Sequence, residues 1–519
     1  MRLHPKRYVL RFIIWSLIIL APVVVYYFFS LINTNYQDLY SYSIHFYLIL
    51  SNIILITAVI TLPYLFINNI VTNVYSWVLI ILLCLPSFLD LLHLLLYGSI
   101  PSTASYVAIF NTNSSEAFEF VQAFSTWHVL IGIIIITTLI VLIYQLIKRI
   151  KTKVLLIIIS TFFILNFINI IWRPHLVYLQ EISLYRIVTT FIDYKNEVAE
   201  FNNFNPKIQN LEIERRGAPG KETHIIIIGE STSRHHMSLY GYYRLTNPGL
   251  ESLRDELIIY KNVKSSAVTT IESLRDVFLL RDNHNKSTAY TMIDIFNRIG
   301  FRTYWISNQQ YMEKGYHLVS AIANRADTKI FVNNLNQSAF DDAIIPYLQK
   351  TFDDSVTKKV IFIHLMGCHT HYKNRYPAAF DFFSKKPYTE YGEKAETIIN
   401  AYDNAIRYND YVVTEIIRRA GKINGSVSLI YFSDHGEEVY DYRDFYGHAD
   451  ASLSKSKFMV DIPFILWVNN EFINTNELLL NRIKTSDAYT LKNFTYGLLD
   501  FLGIKISPSG YSSKNKYLP

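Results

Sequence analysis

Carboxylate and imidazole groups recur in this chain at the ends of apolar runs. HIIIIGE (224–230) ends in Glu230, KVIFIHL (359–365) carries His364 and is followed by His369, and VSLIYFSDH (427–435) ends in Asp434 and His435. Glu, Asp and His are the donors that hold zinc at hydrolytic or transfer sites. The same residue types also serve as helix caps and in buried hydrogen-bonded pairs, but three run ends carrying them together favour a metal. A nucleophile must stand beside such a metal. The chain has neither Cys-x-Pro-x-Arg, the precursor of a formylglycine, nor a Gly-x-Ser-x-Gly elbow. SSAVTTIESLRDVFLL puts Thr269 and Thr270 ahead of an amphipathic segment. A hydroxyl there is an ordinary helix cap. The same helix start aims backbone N–H groups at a phosphate, and a metal makes such a hydroxyl a nucleophile.

The elements that must position these groups are read from the same runs. A fully apolar run bounded by polar residues fits a strand buried on both faces. The runs at 224–230, 302–307, 359–365, 427–435 and 462–468 repeat that pattern, with helical segments at 271–280, 288–299 and 395–419 between several of them. The alternation predicts an α/β domain with a mostly parallel central sheet. Ligands collect at the carboxyl ends of strands in such domains, where Glu230, His364, Asp434 and His435 fall.

The chain has 519 residues, half of them hydrophobic, with a mean hydropathy of +0.16. The apolar excess sits in the first 172 residues. Five stretches, 9–29, 44–67, 76–97, 127–147 and 153–172, are long enough to cross ~30 Å of hydrocarbon as helices. The first has too long a core and no small-residue cleavage site, so it reads as a retained helix. Arg2, Lys6, Arg7 and Arg11 flank it, and Lys148, Arg149, Lys151 and Lys153 fill the loop before the fifth span, whereas 30–43 and 98–126 contain no Lys or Arg. The N-terminus is therefore predicted inside, with everything after Trp172 outside. Asp90 and His93 lie in the third span, three residues apart on one helical face; such groups mark a bundle interior or a watered helix end. The outer loop 98–126 carries Thr112, Asn113 and Glu116. An amphipathic stretch and linker (173–220) lead to a soluble domain (221–519). A net charge of +6 without a long basic run makes nucleic acid a poor partner. Cys84 and Cys368 are badly placed to pair, so no disulfide is predicted.

Longer motifs add a resemblance. IIGESTSRHHMSLYGYYRLTNP (227–248), TIESL (270–274), HLMGCHTHYKNRYP (364–377), AYDNAIRYND (401–410) and SDHGEEVYD (433–441) resemble segments of the phosphoethanolamine transferases of Gram-negative bacteria, members of the alkaline phosphatase and sulfatase superfamily. WISNQQ (305–310) and HGEEVYD look most like the branch acting on heptose of the lipopolysaccharide core. The resemblance implies a five-helix membrane module in the bacterial inner membrane with a catalytic domain of the sulfatase fold in the periplasm. It implies transfer of phosphoethanolamine from phosphatidylethanolamine to lipopolysaccharide, on core heptose or lipid A, through a covalent threonine intermediate. Zinc would be held by Glu230, Thr270, Asp434 and His435, with Thr270 the nucleophile. His369 and His448 match histidines near the phosphate, as proton donors or around a second zinc. His364, Asn308, Thr112 and Glu116 fall at positions implied to bind substrate, the last two at the ethanolamine head group. Ala108 stands where the family has an asparagine. The rivals are a phosphoglycerol transferase or phosphodiesterase of the same superfamily, or a membrane lipid sensor that keeps the fold without catalysis; an intact Glu, Thr, Asp, His set speaks against the last.

Topology is directly testable. Reporter fusions at residue 150 should read cytoplasmic, and fusions at 110 and 220 periplasmic. A cytoplasmic reading at 220 overturns the orientation.

Overall fold

The computed structural model describes residues 70–97, 100–112, 182–203, 212–215, 220–281, 289–309, 318–333, 339–448 and 456–507 save three positions, together with scattered positions before residue 70 and Ile134 and Thr138. It divides into two compact units, Met1–Tyr194 and Lys195–Pro519.

In the first unit, helix α1 (Ile70–Tyr97) contains the third predicted span. Its stretch Trp77–Leu95 is long and apolar enough to cross a membrane. Val74, Ile81, Leu82 and Leu85 leave one side of it exposed and apolar, whereas Asp90 is wholly buried. The other four predicted spans lie outside the described residues except for scattered positions, as do Asn113 and Glu116. A short helix, α2 (Thr103–Asn111), follows, with Ser102 as its N-cap accepting from the Ser105 N–H. Helix α3 (Ser183–Asn203) occupies the predicted amphipathic stretch and runs across the boundary between the units.

The second unit is built on a seven-stranded sheet. Its strands are β1 (Glu222–Gly229), β2 (Leu257–Ile259), β3 (Arg302–Ser307), β4 (Thr328–Phe331), β5 (Lys358–His364), β6 (Ser426–Ser433) and β7 (Phe464–Val468). Their order is β2-β7-β6-β1-β5-β3-β4. Strands β6, β1, β5, β3 and β4 run parallel. The expectation of a mostly parallel sheet needs correction at one side: β7 is antiparallel to β6, and β2 antiparallel to β7. An apolar run reports burial on two faces and not direction. IPFILWV therefore reads like its parallel neighbours although it returns the opposite way. Both edges are short, three residues in β2 and four in β4.

The central strands are apolar because helices cover both faces. Helix α4 (Thr270–Phe278) buries Ile271, Leu274, Val277 and Phe278. Phe278, Trp305, Phe296 and Phe362 pack ring against ring, with Trp305 and Phe362 stacked at 6.0 Å. On the other face, the 29-residue helix α5 (Gly392–Ala420) lays down Ile399, Tyr402, Ile406, Val413 and Ile417. It also holds the segment after β1: the Asp410 carboxylate accepts from the Gly249 and Leu250 N–H groups at 2.8 and 2.9 Å.

Truncating the aromatic layer should weaken the whole unit. Phe362→Ala should cost about 3–5 kcal/mol of stability, read as a lower denaturant midpoint with an unchanged slope. A loss below about 1 kcal/mol would mean that the neighbouring rings refill the space.

Candidate active site

Sheet register brings the candidate residues together. Gly229 pairs with Ser433 and Ile228 with His364, so the next residues, Glu230 and Asp434, leave adjacent strand ends side by side. Ser231 turns the chain with φ 53°, and its hydroxyl donates to Glu230 Oε1 at 2.9 Å. Asp434 Oδ1 accepts from the Ser231 N–H at 3.2 Å and the His435 N–H at 2.7 Å. Asp434 Oδ2 is buried without a hydrogen-bond partner. His435 Nε2 lies 3.2 Å from Glu230 Oε1 and 3.5 Å from Asp434 Oδ2. Its Nδ1 is 2.8 Å from the Gly436 carbonyl, which can only accept. Nδ1 therefore carries a proton and Nε2 faces the carboxylates.

Thr270 is the first residue of α4. Its Oγ1 donates toward both Glu230 carboxylate oxygens at 3.2 and 3.3 Å and lies 3.5 Å from His435 Nε2. Thr269 takes the cap position but makes no side-chain cap bond. Ser273, one turn on, donates to the Asp434 carbonyl at 2.6 Å and fixes the helix start to the strand end.

Electrostatics explain why this cluster suits a cation. Burial pushes Asp434 up to about 8, and the Glu230 charge adds to the effect. Burial also opposes ionisation of Glu230, but the hydrogen bond and charge of His435, with His369 and His364 nearby, hold it well below the usual carboxylate range. Burial disfavours the charged form of His435, yet Asp434 and Glu230 outweigh it and lift it to about 10. His435 Nε2 thus faces both carboxyl groups. The three residues offer donor atoms within 4.8 Å of one another. The unpartnered Asp434 Oδ2 supports the fit, because a buried charged oxygen left without a partner is costly unless a cation completes it.

The remaining histidines surround this group. His364 is buried, with its Nε2 unpartnered and its titration lowered to about 4 by burial. His369 Nδ1 is likewise shielded and unpartnered, and burial lowers this ring to about 4 as well. His448 packs at 4.3 Å, centroid to centroid, on His435. Its Nδ1 bonds Glu437 Oε2 at 2.7 Å, and Glu437 Oε1 accepts from the Tyr372 hydroxyl at 2.6 Å. This carboxylate orients the imidazole and leaves Nε2 for other work. His435, Glu437 and His448 form a second group with metal-ligand spacing. Glu437 was not singled out from the sequence; its position two residues after His435 in HGEE was the available signal.

Asn308 stands just beyond the end of β3, and its Oδ1 is buried without a hydrogen-bond partner. It is fully buried, and its amide donates to the Ala339 carbonyl and to Asp341 Oδ1, each at 2.9 Å. Asp341 in turn accepts from the Met366 and Gly367 N–H groups at 2.8 Å. The loop so held lies flush on Glu230: a Cβ at Gly367, which has φ 53°, would sit 2.7 Å from the Glu230 backbone N and O. Thr112 is exposed at the end of α2, with its hydroxyl donating to the Ala108 carbonyl at 2.8 Å.

A second buried cluster supports the segment after Glu230. His236 Nδ1 bonds Asp403 at 2.8 Å and its Nε2 bonds Asp441 at 3.2 Å. Arg244 and Tyr242 also donate to Asp403. Burial works against the charged His236, but Asp441 and Asp403 outweigh it and lift it to about 10. A raised folded value contributes stability that is fully present below the unfolded value of about 6.5 and is lost as pH rises through about 10. His236→Ala should therefore destabilise the protein by about 3 kcal/mol at neutral pH, and the gap to the parent should shrink on approaching pH 10. Thermal melts across pH 6–10 test this; a gap that is constant over the range means His236 acts by packing alone.

Comparison with known proteins follows the same lines. Residues 222–504 match the family model described as Sulfatase. Phosphoethanolamine transferase EptC of Escherichia coli K12 is 32% identical over 312 residues, 56% of this chain and 53% of that protein. The chain thus matches about half the length of such curated relatives. A solved zinc complex of the C-terminal periplasmic domain of EptC from Escherichia coli is 29% identical with a TM-score of 0.53, covering 58% of this chain and 87% of that one. The integral membrane lipooligosaccharide phosphoethanolamine transferase A of Neisseria meningitidis shares the fold over 96% of this chain and 95% of its own, with a TM-score of 0.63 at 18% identity.

Proposed function

Because the chain belongs to the sulfatase family, we propose that it is a metal-dependent, membrane-embedded phosphoethanolamine transferase whose Lys195–Pro519 unit works in the periplasm at the face of a bacterial inner membrane. The observation that carries this reading is the Thr270 hydroxyl, within hydrogen-bond reach of Glu230 and beside His435, with an unpartnered Asp434 oxygen completing the group. The relatives' names supply the transferred group, and the zinc complex of the EptC domain makes zinc the first choice of metal.

Glu230, Thr270, Asp434 and His435 would hold zinc, which would supply a Lewis acid that lowers the pKa of the Thr270 hydroxyl. The chain's own residues do the rest. Thr270 Oγ1 gives its proton to the Glu230 carboxylate that it hydrogen-bonds and attacks the phosphorus of phosphatidylethanolamine in line. The bond to the diacylglycerol oxygen breaks, leaving phosphoethanolamine on Thr270. His448, oriented by Glu437, protonates the leaving oxygen; it then takes the proton of the acceptor hydroxyl as that oxygen attacks the phosphorus, the bond to Thr270 Oγ1 breaks, and Oγ1 recovers its proton from Glu230. His369 is neutral at pH 7 and competent for the same exchange. The acceptor is lipopolysaccharide, with core heptose preferred over lipid A on the likeness of WISNQQ and HGEEVYD to the heptose-acting branch. Thr112 and Glu116 hold the donor head group. The buried amide of Asn308 serves the site by fixing the 366–369 loop. His364, deep beside Glu230, lines the phosphate side.

Thr270→Ala should abolish transfer while the protein remains folded in the membrane, since Thr269 and not Thr270 holds the cap position of α4. Asp434→Ala should lose bound zinc and activity together. The readouts are mass spectrometry of lipopolysaccharide from cells with and without each variant, and elemental analysis of the purified protein. Full modification by Thr270→Ala, or stoichiometric zinc in Asp434→Ala, overturns the assignment.

A further inference from the structure

The membrane unit holds an ion cluster that the chemistry above does not use. Asp90 lies inside the apolar part of α1 with a side chain that is 0% exposed. Its Oδ1 accepts from the Tyr106 hydroxyl of α2 at 2.7 Å, and its Oδ2 pairs with the Arg186 guanidinium of α3. Arg186 Nε also donates to the Tyr106 oxygen at 3.3 Å. Each of the three groups therefore bonds the other two, and they come from three separate elements. A buried carboxylate is tolerated only when it is paired and hydrogen-bonded. Such a closed arrangement has one favourable geometry, whereas apolar contacts between helices slide at little cost.

The contacts continue along α2. Phe110 packs edge-on against Phe191 at 5.2 Å, and the Tyr194 hydroxyl donates to Asn111 Oδ1 at 2.9 Å. Residues 106, 110 and 111 thus meet 186, 191 and 194 in order, so α2 is bound along its length to α3 and at its middle to the spanning helix. The next residue is Thr112, the first of the two residues read as holding the donor head group.

We infer that Asp90, Tyr106 and Arg186 are positioning residues for the lipid donor. They lock α2 to the spanning helix and to α3, and so fix where the end of α2 presents Thr112 to the ethanolamine head group. The ion cluster ties the middle of α2 to a buried point of α1. The inference rests on the reading of the chain as a transferase that draws on phosphatidylethanolamine.

The test uses the full-length protein in mixed micelles and two substrates. One is phosphatidylethanolamine, followed by diacylglycerol release. The other is bis-p-nitrophenyl phosphate, a soluble diester that has no lipid or amine to place. Arg186→Gln and Asp90→Asn should each raise KM for the lipid and lower kcat/KM on it by about tenfold, with hydrolysis of the soluble diester within about twofold of the parent. The double variant D90N/R186Q leaves no unpaired charge and should recover most of the lipid activity. Tyr106→Phe, which keeps the ring and removes one hydroxyl, should show the same split more weakly. Equal loss on both substrates, unchanged lipid kinetics in all three single variants, or no recovery in the double variant overturns the inference. If the single charge variants do not accumulate, Tyr106→Phe and the double variant decide by the same criteria. A parent protein that cleaves the soluble diester but releases no diacylglycerol from phosphatidylethanolamine would instead overturn the donor reading itself.

Discussion

Two carboxylates, Glu230 and Asp434, are buried at the ends of adjacent parallel strands with one imidazole between them. Left alone, like charges so close in a region without water repel and lose their hydration. The catalytic unit is arranged around holding them there. Register forces the approach, since Gly229 and Ser433 are paired in the ladder. The Ser231 turn, the His435 N–H and the Ser273 hydroxyl then take up the available hydrogen bonds around Asp434 and its carbonyl. What remains is Asp434 Oδ2, which has no hydrogen-bond partner and which a cation would satisfy. Seen this way, the place of Thr270, the proposed nucleophile, is a by-product: α4 starts beside Asp434 and supplies Ser273 to its carbonyl, and its first residue, Thr270, then lies against Glu230.

Support for this arrangement comes from further out. The 366–369 loop presses on the Glu230 backbone and is held by Asp341, whose own partner is Asn308 at the end of β3. On the opposite side, Tyr402 of α5 donates to the Ser231 carbonyl at 2.8 Å and accepts from the Ser233 N–H at 2.9 Å. The segment after Glu230 is therefore clamped between a loop and a helix, and beyond it by the His236 cluster. These contacts limit how far Glu230 can move when substrate binds, which is the requirement for a site that stabilises charge without reorganising.

Several parts of this were legible in the sequence for a definite reason. Central strands are apolar on both faces, so β1, β3, β5 and β6 stand out as runs, and the polar residue that ends each run is already at the site. Glu230, Asp434 and His435 were accessible on that ground; Thr270 was visible only as one of two threonines ahead of an amphipathic segment, and its role came from the family resemblance. Direction was not legible: nothing in IPFILWV distinguishes a parallel from an antiparallel neighbour. Nor were pairings between distant residues. His236 meets Asp403 and Asp441 only after α5 has packed on the sheet, and Asn308 meets Asp341 only through the loop between them. Asp90 was visible as an anomaly in an apolar span, yet its partners lie 16 and 96 residues further along.

The two ends of the sheet have a consequence of a different kind. Unpaired N–H and C=O groups on a long outer strand invite another chain to add itself, which is how aggregates begin. Here the outer strands are three and four residues long, and the four-residue one carries an exposed lysine at its second position, Lys329. A neighbour attempting to extend the sheet gains only a few hydrogen bonds and must bury a charge. Short outer strands of this kind disfavour edge-to-edge association between copies, which matters most where copies are held close together.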